Sequence, residues 1–537
     1  MPVLHKTEAE AMASRLRHSR NQAERQSIYA GKTHDYHQPV LIDSDLMLEH
    51  MHVVGPTGTG KTTRSLILQS MQVIAQDQGP VVITDMKGDP AFFHAARTAA
   101  EKAGRTFKWF TNKPSHSTYV FNPWRQESLH SLSLHQIVGL ISQSLNLRHG
   151  QDYGRAWYSM LAYIQARRAI EKTKPIDPQR RGKLDSYIPT DYPIESFAEL
   201  HHLVVDVNNA DSELAKARHL AYILECLADF DQLNLAPGEG VKQSALDNAI
   251  HMPDVIANKE VVYFYLESGV DLSSVAELAQ LAVYSLYVAA GEHYQRTGVR
   301  PKIFNIWDEA QVLVTQNIEP FLTQARSLGM GCILAHQHLN QLNPPGGVDL
   351  RETVLGNTVI KQVFAANDPW LMKYIQDTSG HAKYYDLGYE ISSWRLGKGN
   401  VHAGTALIRM PDRIQYLQLQ EHVGPRITVQ DILDVSRDPN VNYMWIARNE
   451  GLTRFRGWFP MLTGYAMSKE NYETFQQAAW PGDRDATITT QPFWPEENDE
   501  TIIVETHPEL SHPASGLPEE EVNDMLEKLK RRHGRPM

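Results

Sequence analysis

Between the apolar run His52-Val53-Val54 and the segment Thr63-Arg64-Ser65-Leu66-Ile67-Leu68 lies Gly55-Pro56-Thr57-Gly58-Thr59-Gly60-Lys61-Thr62, a complete GxxxxGK[ST] pattern. It demands a strand, a tight loop and a helix in that order. The glycines let the backbone curl so that successive N–H groups and a helix N-terminus face one anion. Lys61 suits the charge of β- and γ-phosphates, and the Thr62 hydroxyl suits Mg²⁺. Gly55, Pro56, Thr57, Gly58, Thr59, Gly60, Lys61, Thr62 and Thr63 are therefore the candidate nucleotide-binding residues, with ATP and Mg²⁺ as the expected ligands.

Short patterns also arise by chance, so the surroundings decide. Downstream, Lys302-Ile303-Phe304-Asn305-Ile306-Trp307-Asp308-Glu309 reads as a buried strand that delivers two carboxylates to its end. Open α/β sheets hold ligands at that edge. Asp308 is placed to hold a Mg²⁺-bound water and Glu309 to polarise the attacking water, against the plain alternative of a surface acidic pair. A further strand, Gly331-Cys332-Ile333-Leu334-Ala335, leads into His336-Gln337. Alternation sets Gln337 opposite His336 and His338, so that it can face a γ-phosphate.

The chain has 537 residues, 42% of them hydrophobic, enough for about three domain-sized units. No stretch approaches the ~20 apolar residues of a membrane helix. The nearest, Leu278 to Ala290, is short, carries Gln280, Tyr284, Ser285 and Tyr287, and reads as a core helix. The first residues, rich in Glu, Ala, Arg and Gln, lack a signal-peptide core, and a cytoplasmic location is expected. Cys226 and Cys332 are too few for a disulfide framework, and the 24 histidines have no partners at metal-ligand spacing. A formal charge of −11 argues against general nucleic-acid affinity. It leaves room for a localised basic channel inside an acidic ring, because the local field governs a bound strand.

The pattern along the chain is that of an α/β protein with an insertion. Residues 1–38 form a polar arm, with helical composition over Glu8 to Gln26; 39–125 and 251–475 are two parts of a RecA-like nucleotide-binding domain with a mostly parallel sheet. Expected strands are Val40 to Ile42, Met51 to Val54, Val81 to Asp85, Val261 to Leu266 and Val359 to Ala365, with helices from Thr62 to about Ala75 and from Val275 to Tyr294. Residues 126–250 read as an all-helical domain, with helices at Ser131–Leu145, Trp157–Lys172, Ser196–Val205 and Glu213–Ala228 and a mobile loop over Lys172 to Pro193. Residues 476–537 shift to an acidic, Pro-containing linker and a short helix in which Val522, Met525, Leu526 and Leu529 share a face. That tail is either a docking peptide for an adaptor or a solvated helix.

Five blocks occur in a familiar order: Glu49-His50-Met51-His52-Val53-Val54-Gly55, Asp85-Met86-Lys87-Gly88-Asp89, Trp307-Asp308-Glu309-Ala310-Gln311, Ala325-Arg326-Ser327-Leu328-Gly329-Met330 before the strand ending in Gln337, and Asn357 before Phe364-Ala365-Ala366-Asn367-Asp368. Over residues 29–475 the chain resembles the type IV coupling proteins of bacterial conjugation, the TraG/TraD group of ATPases allied to FtsK and HerA. The resemblance implies a homohexamer with nucleotide sites between subunits, DNA in a central channel, and a relaxase and type IV secretion channel components as partners. By the same resemblance, Lys61 and Glu309 are catalytic, Arg326 is an arginine finger reaching a neighbour's γ-phosphate, and Gln337 senses hydrolysis. A forked guanidinium suits the transferring phosphoryl group, while an ordinary salt bridge is the alternative for Arg326. Lys87 has two readings, a DNA contact or a pair with Asp85 or Asp89.

Many members carry N-terminal transmembrane helices, whereas about fifty residues precede this phosphate loop. A separate membrane partner at the inner membrane is then expected to supply the anchor. Two other functions stay open: a HerA/FtsK-like DNA-processing or phage-defence ATPase, and a nucleotide-controlled recruitment platform for secretion substrates.

Overall fold

The computed structural model describes residues 7–113, 116–145, 147, 153–173, 194–238, 241, 243–267, 272–315, 317–343, 348–366, 368–389 and 417–481. The loop expected over Lys172 to Pro193 lies, beyond Thr173, outside the described residues, as do Asn367 and the tail after Pro481.

Short apolar runs rich in β-branched and aromatic residues become strands here because both faces of the sheet they build are covered. In chain order they are β1 (Ser27–Thr33), β2 (Pro39–Asp43), β3 (Met51–Val54), β4 (Val81–Asp85), β5 (Phe107–Thr111), β6 (Val261–Tyr265), β7 (Ile303–Asp308), β8 (Met330–His336), β9 (Ile360–Phe364), β10 (His381–Tyr389), β11 (Leu417–Pro425), β12 (Val441–Ile446) and β13 (Gly457–Leu462). Eleven of them form one sheet in the order β2-β1-β13-β12-β9-β3-β8-β7-β4-β6-β5. From β9 to β5 every pairing is parallel, and from β12 to β2 every pairing is antiparallel.

This order positions the site. β8 lies between β3, which feeds the phosphate loop, and β7, which ends in Asp308. The β4–β7 register sets Asp85 directly beside Asp308. Where a strand leaves its last residue decides what gathers at the sheet edge.

Packing fixes that edge from the opposite end. Buried Arg105 donates to the carbonyls of Ile74, Gly79 and Lys259, tying the turn after the helix Ile67–Gln76 to the starts of β4 and β6. The helices Glu8–Arg17, Ile67–Gln76, Pro90–Lys102 and Lys469–Gln477 pack in series. Asp89 caps the third of them by accepting from Ala91 N–H, with Pro90 at its first position. Under this layer Phe93 meets Tyr263 edge-on at 5.3 Å and stacks on Trp480 at 4.4 Å, so the chain segment around Trp480 belongs to the core.

Between β5 and β6 the described residues are helical, with no strand among them. Leu134–Ser144, Tyr153–Thr173, Phe197–Ala210 and His219–Ala228 pack one on the next, and buried Gln165 donates to Asn208 Oδ1 and to the carbonyls of Leu214 and Ala217. The helix expected over Glu213 to Ala228 is broken, because Leu214–Lys216 is a 3₁₀ turn and the α-helix begins at His219. Expected Ser196–Val205 runs on to Ala210, and expected Val275–Tyr294 spans Leu272–Thr297. Among the described residues no helix is long and apolar enough to cross a membrane.

Residues 366–438 form a separate compact unit. Within it the antiparallel pair β10–β11 stands beside helices Pro369–Thr378 and Val429–Val435, joined by Val429 N–H donating to Gln376 Oε1 and Ile427 N–H to Ser379 Oγ.

Candidate nucleotide site

β3 ends at Val54, and Gly55 passes so close to β9 that a Cβ there would stand 2.6 Å from the Phe364 carbonyl oxygen. Only glycine fits. Gly58 and Gly60 are left-handed, at φ 82° and 92°, which turns the loop back over the start of the following helix. The first turn of that helix, Thr62–Leu66, is wound as a π-helix before regular α-helix resumes at Ile67, where a plain helix from Thr62 was expected. Such wide turns are frequent at functional sites.

Lys61 is buried and folds back into the loop, its Nζ donating to the carbonyls of Gly55 and Pro56 at 2.5 and 3.3 Å. Burial lowers its pKa, and the carboxylates of Asp308 and Glu309 oppose that shift. The cation already faces the two acids that sequence places nearly 250 residues away.

Thr62 Oγ1 lies 3.2 Å from Asp308 Oδ2. Asp308 is buried, and its pKa is raised by burial first and then by the Asp85 and Glu309 carboxylates. Asp85 is raised for the same first reason, although it accepts from the N–H groups of Lys87, Gly88 and Asp89 and from the Tyr263 hydroxyl. Neither Asp85 nor Asp89 pairs with the Lys87 side chain, which is exposed. Two buried carboxylates side by side, one within reach of a threonine hydroxyl, are a donor set of hard oxygens that fits Mg²⁺.

Glu309 follows with φ 55°, a left-handed backbone that is unfavourable for a residue with a side chain. Its Oε1 accepts from Gln337 Nε2 at 2.9 Å and its Oε2 from Gln311 Nε2 at 2.7 Å. Thr57 Oγ1 donates to Gln337 Oε1 at 2.8 Å, so the phosphate loop, β8 and β7 are linked through one amide. The expected alternation holds: His336 points into the core, 2.6 Å from His52 across β3–β8, while Gln337 faces the loop. Because His336 Nδ1 donates to the His338 carbonyl, its Nε2 accepts from His52 Nε2–H. Burial holds both imidazoles neutral, with His336 pushed down to about 4.

Arg326 is the one candidate that does not join this group. It ends the helix Ile318–Ser327, half exposed, with Nη2 2.7 Å from Glu49 Oε2, and Arg448 donates to both oxygens of the same carboxylate. The lowered pKa of Glu49 follows from Arg448 first and Arg326 after it. Glu49, Lys302 and Gly329 precede β3, β7 and β8, and with Arg326 they line a hollow of about 460 Å³ at the amino edge of the sheet. Six-residue β7 separates this edge from the phosphate loop by roughly 20 Å. Sequence reasoning gave no role to Thr57 beyond the loop, to Gln311, or to the Glu49 carboxylate; only the place of Gln311 in the Trp307-to-Gln311 block and of Glu49 in the Glu49-to-Gly55 block marked them.

Two family models match the chain: "Helicase HerA, central domain" over residues 28–225, and "TraM recognition site of TraD and TraG" over residues 302–406. No curated protein matches it. Among solved structures, the chain is similar to the bacterial conjugative coupling protein TrwBdeltaN70 in its unbound monoclinic form, at 13% identity, with 86% of this chain and 93% of that chain covered and a TM-score of 0.53. It is also similar to plasmid coupling protein TrwB in complex with the non-hydrolysable ATP analogue ADPNP, at 12% identity, with 86% and 94% covered and a TM-score of 0.51. At such identities the likeness is one of fold, a RecA-like α/β core.

Proposed function

We propose that the chain is a TraG/TraD-like coupling protein related to HerA, an ATP-hydrolysing motor that moves DNA, a reading supported by the two family models that match it. The observation that carries this reading is the meeting of Thr62, Asp308, Glu309, Gln337 and Thr57 at one sheet edge. Residues at the ends of β7 and β8 converge on the loop that suits a triphosphate.

In this reading the loop amides and Lys61 bind the β- and γ-phosphates, which draws Lys61 Nζ off the loop carbonyls it now holds. Thr62 and Asp308 would hold Mg²⁺, which when bound supplies positive charge to the phosphate oxygens. Glu309 takes a proton from the attacking water as its oxygen bonds to the γ-phosphorus and the bond to the β,γ-bridging oxygen breaks, giving ADP and phosphate. Gln337, held between Thr57 and Glu309, reports whether the γ-phosphate is present. Arg326 acts on the nucleotide of a neighbouring copy in a homohexamer, and DNA occupies the central channel, with exposed Lys87 one candidate contact.

The partners that fit are a relaxase bound to the transferred strand, type IV secretion channel components, and a membrane protein that brings the motor to the inner membrane. The tail after Pro481 is the candidate adaptor site. The HerA match favours a second reading, a DNA-processing or defence motor, which a nuclease gene beside this one rather than a relaxase gene would select.

ATPase activity measured against protein concentration, with and without DNA, tests the proposal. Turnover that rises steeply with concentration and again with DNA is expected. Purified protein that binds nucleotide yet never splits it would remove the motor reading.

A further inference from the structure

Glu309 presents its two carboxylate oxygens to two different amides, and the amides differ in what else holds them. Gln337 is tied to the phosphate loop through Thr57. Gln311 is local: it sits on the turn Ala310–Val312 directly behind Glu309, and its own Oε1 is buried with no hydrogen-bond partner among the described residues. An amide that leaves its acceptor unmet while its donor sits on a carboxylate is oriented by that carboxylate. Turning it over would set oxygen against oxygen. The left-handed backbone of Glu309 points the same way, since the turn is bent around the position this carboxylate takes.

We propose that Gln311 is a positioning residue for Glu309, the fixed half of an amide pair whose other half, Gln337, is drawn off by the nucleotide. The inference rests on Glu309 being the general base. A γ-phosphate in the loop competes for the Thr57 hydroxyl and for the Gln337 amide, which releases the oxygen that faces Gln337 to receive the water proton. The oxygen that faces Gln311 stays anchored. One oxygen works while the other fixes the plane of the carboxylate; without the anchor the group samples rotamers in which no oxygen faces the water.

Steady-state ATPase kinetics of the full chain compare wild type with Gln311→Met, which keeps length and bulk but donates nothing, and with Gln311→Glu, which sets a second acceptor against Glu309. Melting temperature and affinity for a fluorescent, non-hydrolysable ATP analogue are read on the same preparations. KM and analogue affinity are expected within about threefold of wild type, with kcat down about tenfold in Gln311→Met and about a hundredfold in Gln311→Glu. A packing role alone predicts that both near-isosteres are tolerated. Gln311→Glu with kcat within about twofold of wild type, or kcat losses matched by equal losses of analogue affinity, overturns the inference. If one variant does not melt cooperatively, the other carries the same comparison. A wild type that binds the analogue and never turns over removes the base reading together with this one, whereas an active wild type with indifferent Gln311 variants removes this one alone.

Discussion

Replacing Gly55 by alanine tests the tightest contact of the phosphate loop. The added Cβ falls 2.6 Å from the Phe364 carbonyl oxygen, 2.7 Å from Phe364 Cβ and 3.1 Å from Thr59 Oγ1, where ordinary contact begins at 3.4 Å. Something must move by about 0.8 Å, the difference between 3.4 and 2.6 Å. β9 is hydrogen-bonded between β3 and β12, so it does not yield alone. Overpacking of this kind costs about 1–3 kcal/mol, and at about 2–4 °C per kcal/mol the melting temperature should fall by about 2–12 °C. If the loop moves instead, the carbonyl that receives Lys61 moves with it, and a misplacement of about 1 Å costs about a hundredfold in turnover. Thermal denaturation and titration with a fluorescent ATP analogue read both outcomes. Phe364→Ala cannot rescue the variant, because it keeps both atoms that collide. At Gly58 nothing lies within 4 Å and the cost is only that of a left-handed residue, about 1–2 kcal/mol, so Gly58→Ala should fold with less loss. A Gly55→Ala protein with unchanged melting temperature and unchanged affinity would refute the contact.

Arg105→Met removes the guanidinium that joins the carbonyls of Ile74, Gly79 and Lys259, leaves the buried Gly79 carbonyl without that donor, and should cost about 3–5 kcal/mol in urea denaturation; a loss under about 1 kcal/mol contradicts the buried clamp. Lys61→Ala should weaken nucleotide binding, whereas Glu309→Gln should retain ATP and stop turnover, seen by equilibrium binding and phosphate release; loss of binding in Glu309→Gln contradicts its assignment. Mixing Arg326→Ala with Glu309→Gln subunits should restore activity if the finger acts between copies, and confirmed mixed assemblies without rescue count against it. His50 is buried, with its pKa pushed down to about 4 by burial, so below pH 6.5 the unfolded chain binds a proton that the folded chain refuses. Wild type therefore loses about 2 kcal/mol at this residue between about pH 7 and pH 5, and the stability deficit of His50→Gln should shrink by that amount. A deficit independent of pH would show that folding leaves the proton affinity of His50 unchanged and contradict the lowered pKa.

Strong local patterns made the centre of the fold and the edge strand β2, expected over Val40 to Ile42, legible and left the other strands unread. β3, β4, β6, β7, β8 and β9 are short, fully buried strands rich in apolar residues, with Lys361 and Gln362 the polar interruption in β9, and each falls within a residue or two of its expected place. β1 carries Gly31 and Lys32, and β12 and β13 mix Asn442, Pro460 and half-buried positions, because antiparallel strands need not be apolar throughout. β5 and the helix Pro90–Lys102 were equally unmarked, although Asp89-Pro90 is a cap signal. In the site, residue types at fixed spacing gave Lys61, Thr62, Asp308 and Glu309, and strand alternation gave the facing of Gln337. The carboxylate of Glu49 and the amide of Gln311 act through whom they touch, and contact across the fold leaves no periodicity to read.

Strand polarity separates the two halves of the proposed chemistry. β3, β7 and β8 run parallel, so their carboxyl ends gather Thr62, Asp308, Glu309 and Gln337 while their amino ends gather Glu49, Lys302 and Arg326. A guanidinium at one edge meets a phosphate at the other only when that phosphate belongs to a different copy. Two-fold pairing of like edges fails, because it would oppose phosphates to phosphates and guanidinium to guanidinium. The contact must join unlike edges, and a head-to-tail arrangement, which does so and closes into rings or runs on as filaments, suits it. The Glu49 pair then has a physical sense. It holds Arg326 ordered at the edge, and because the guanidinium is 51% exposed, exchanging a carboxylate for a phosphate oxygen strips little further water from it.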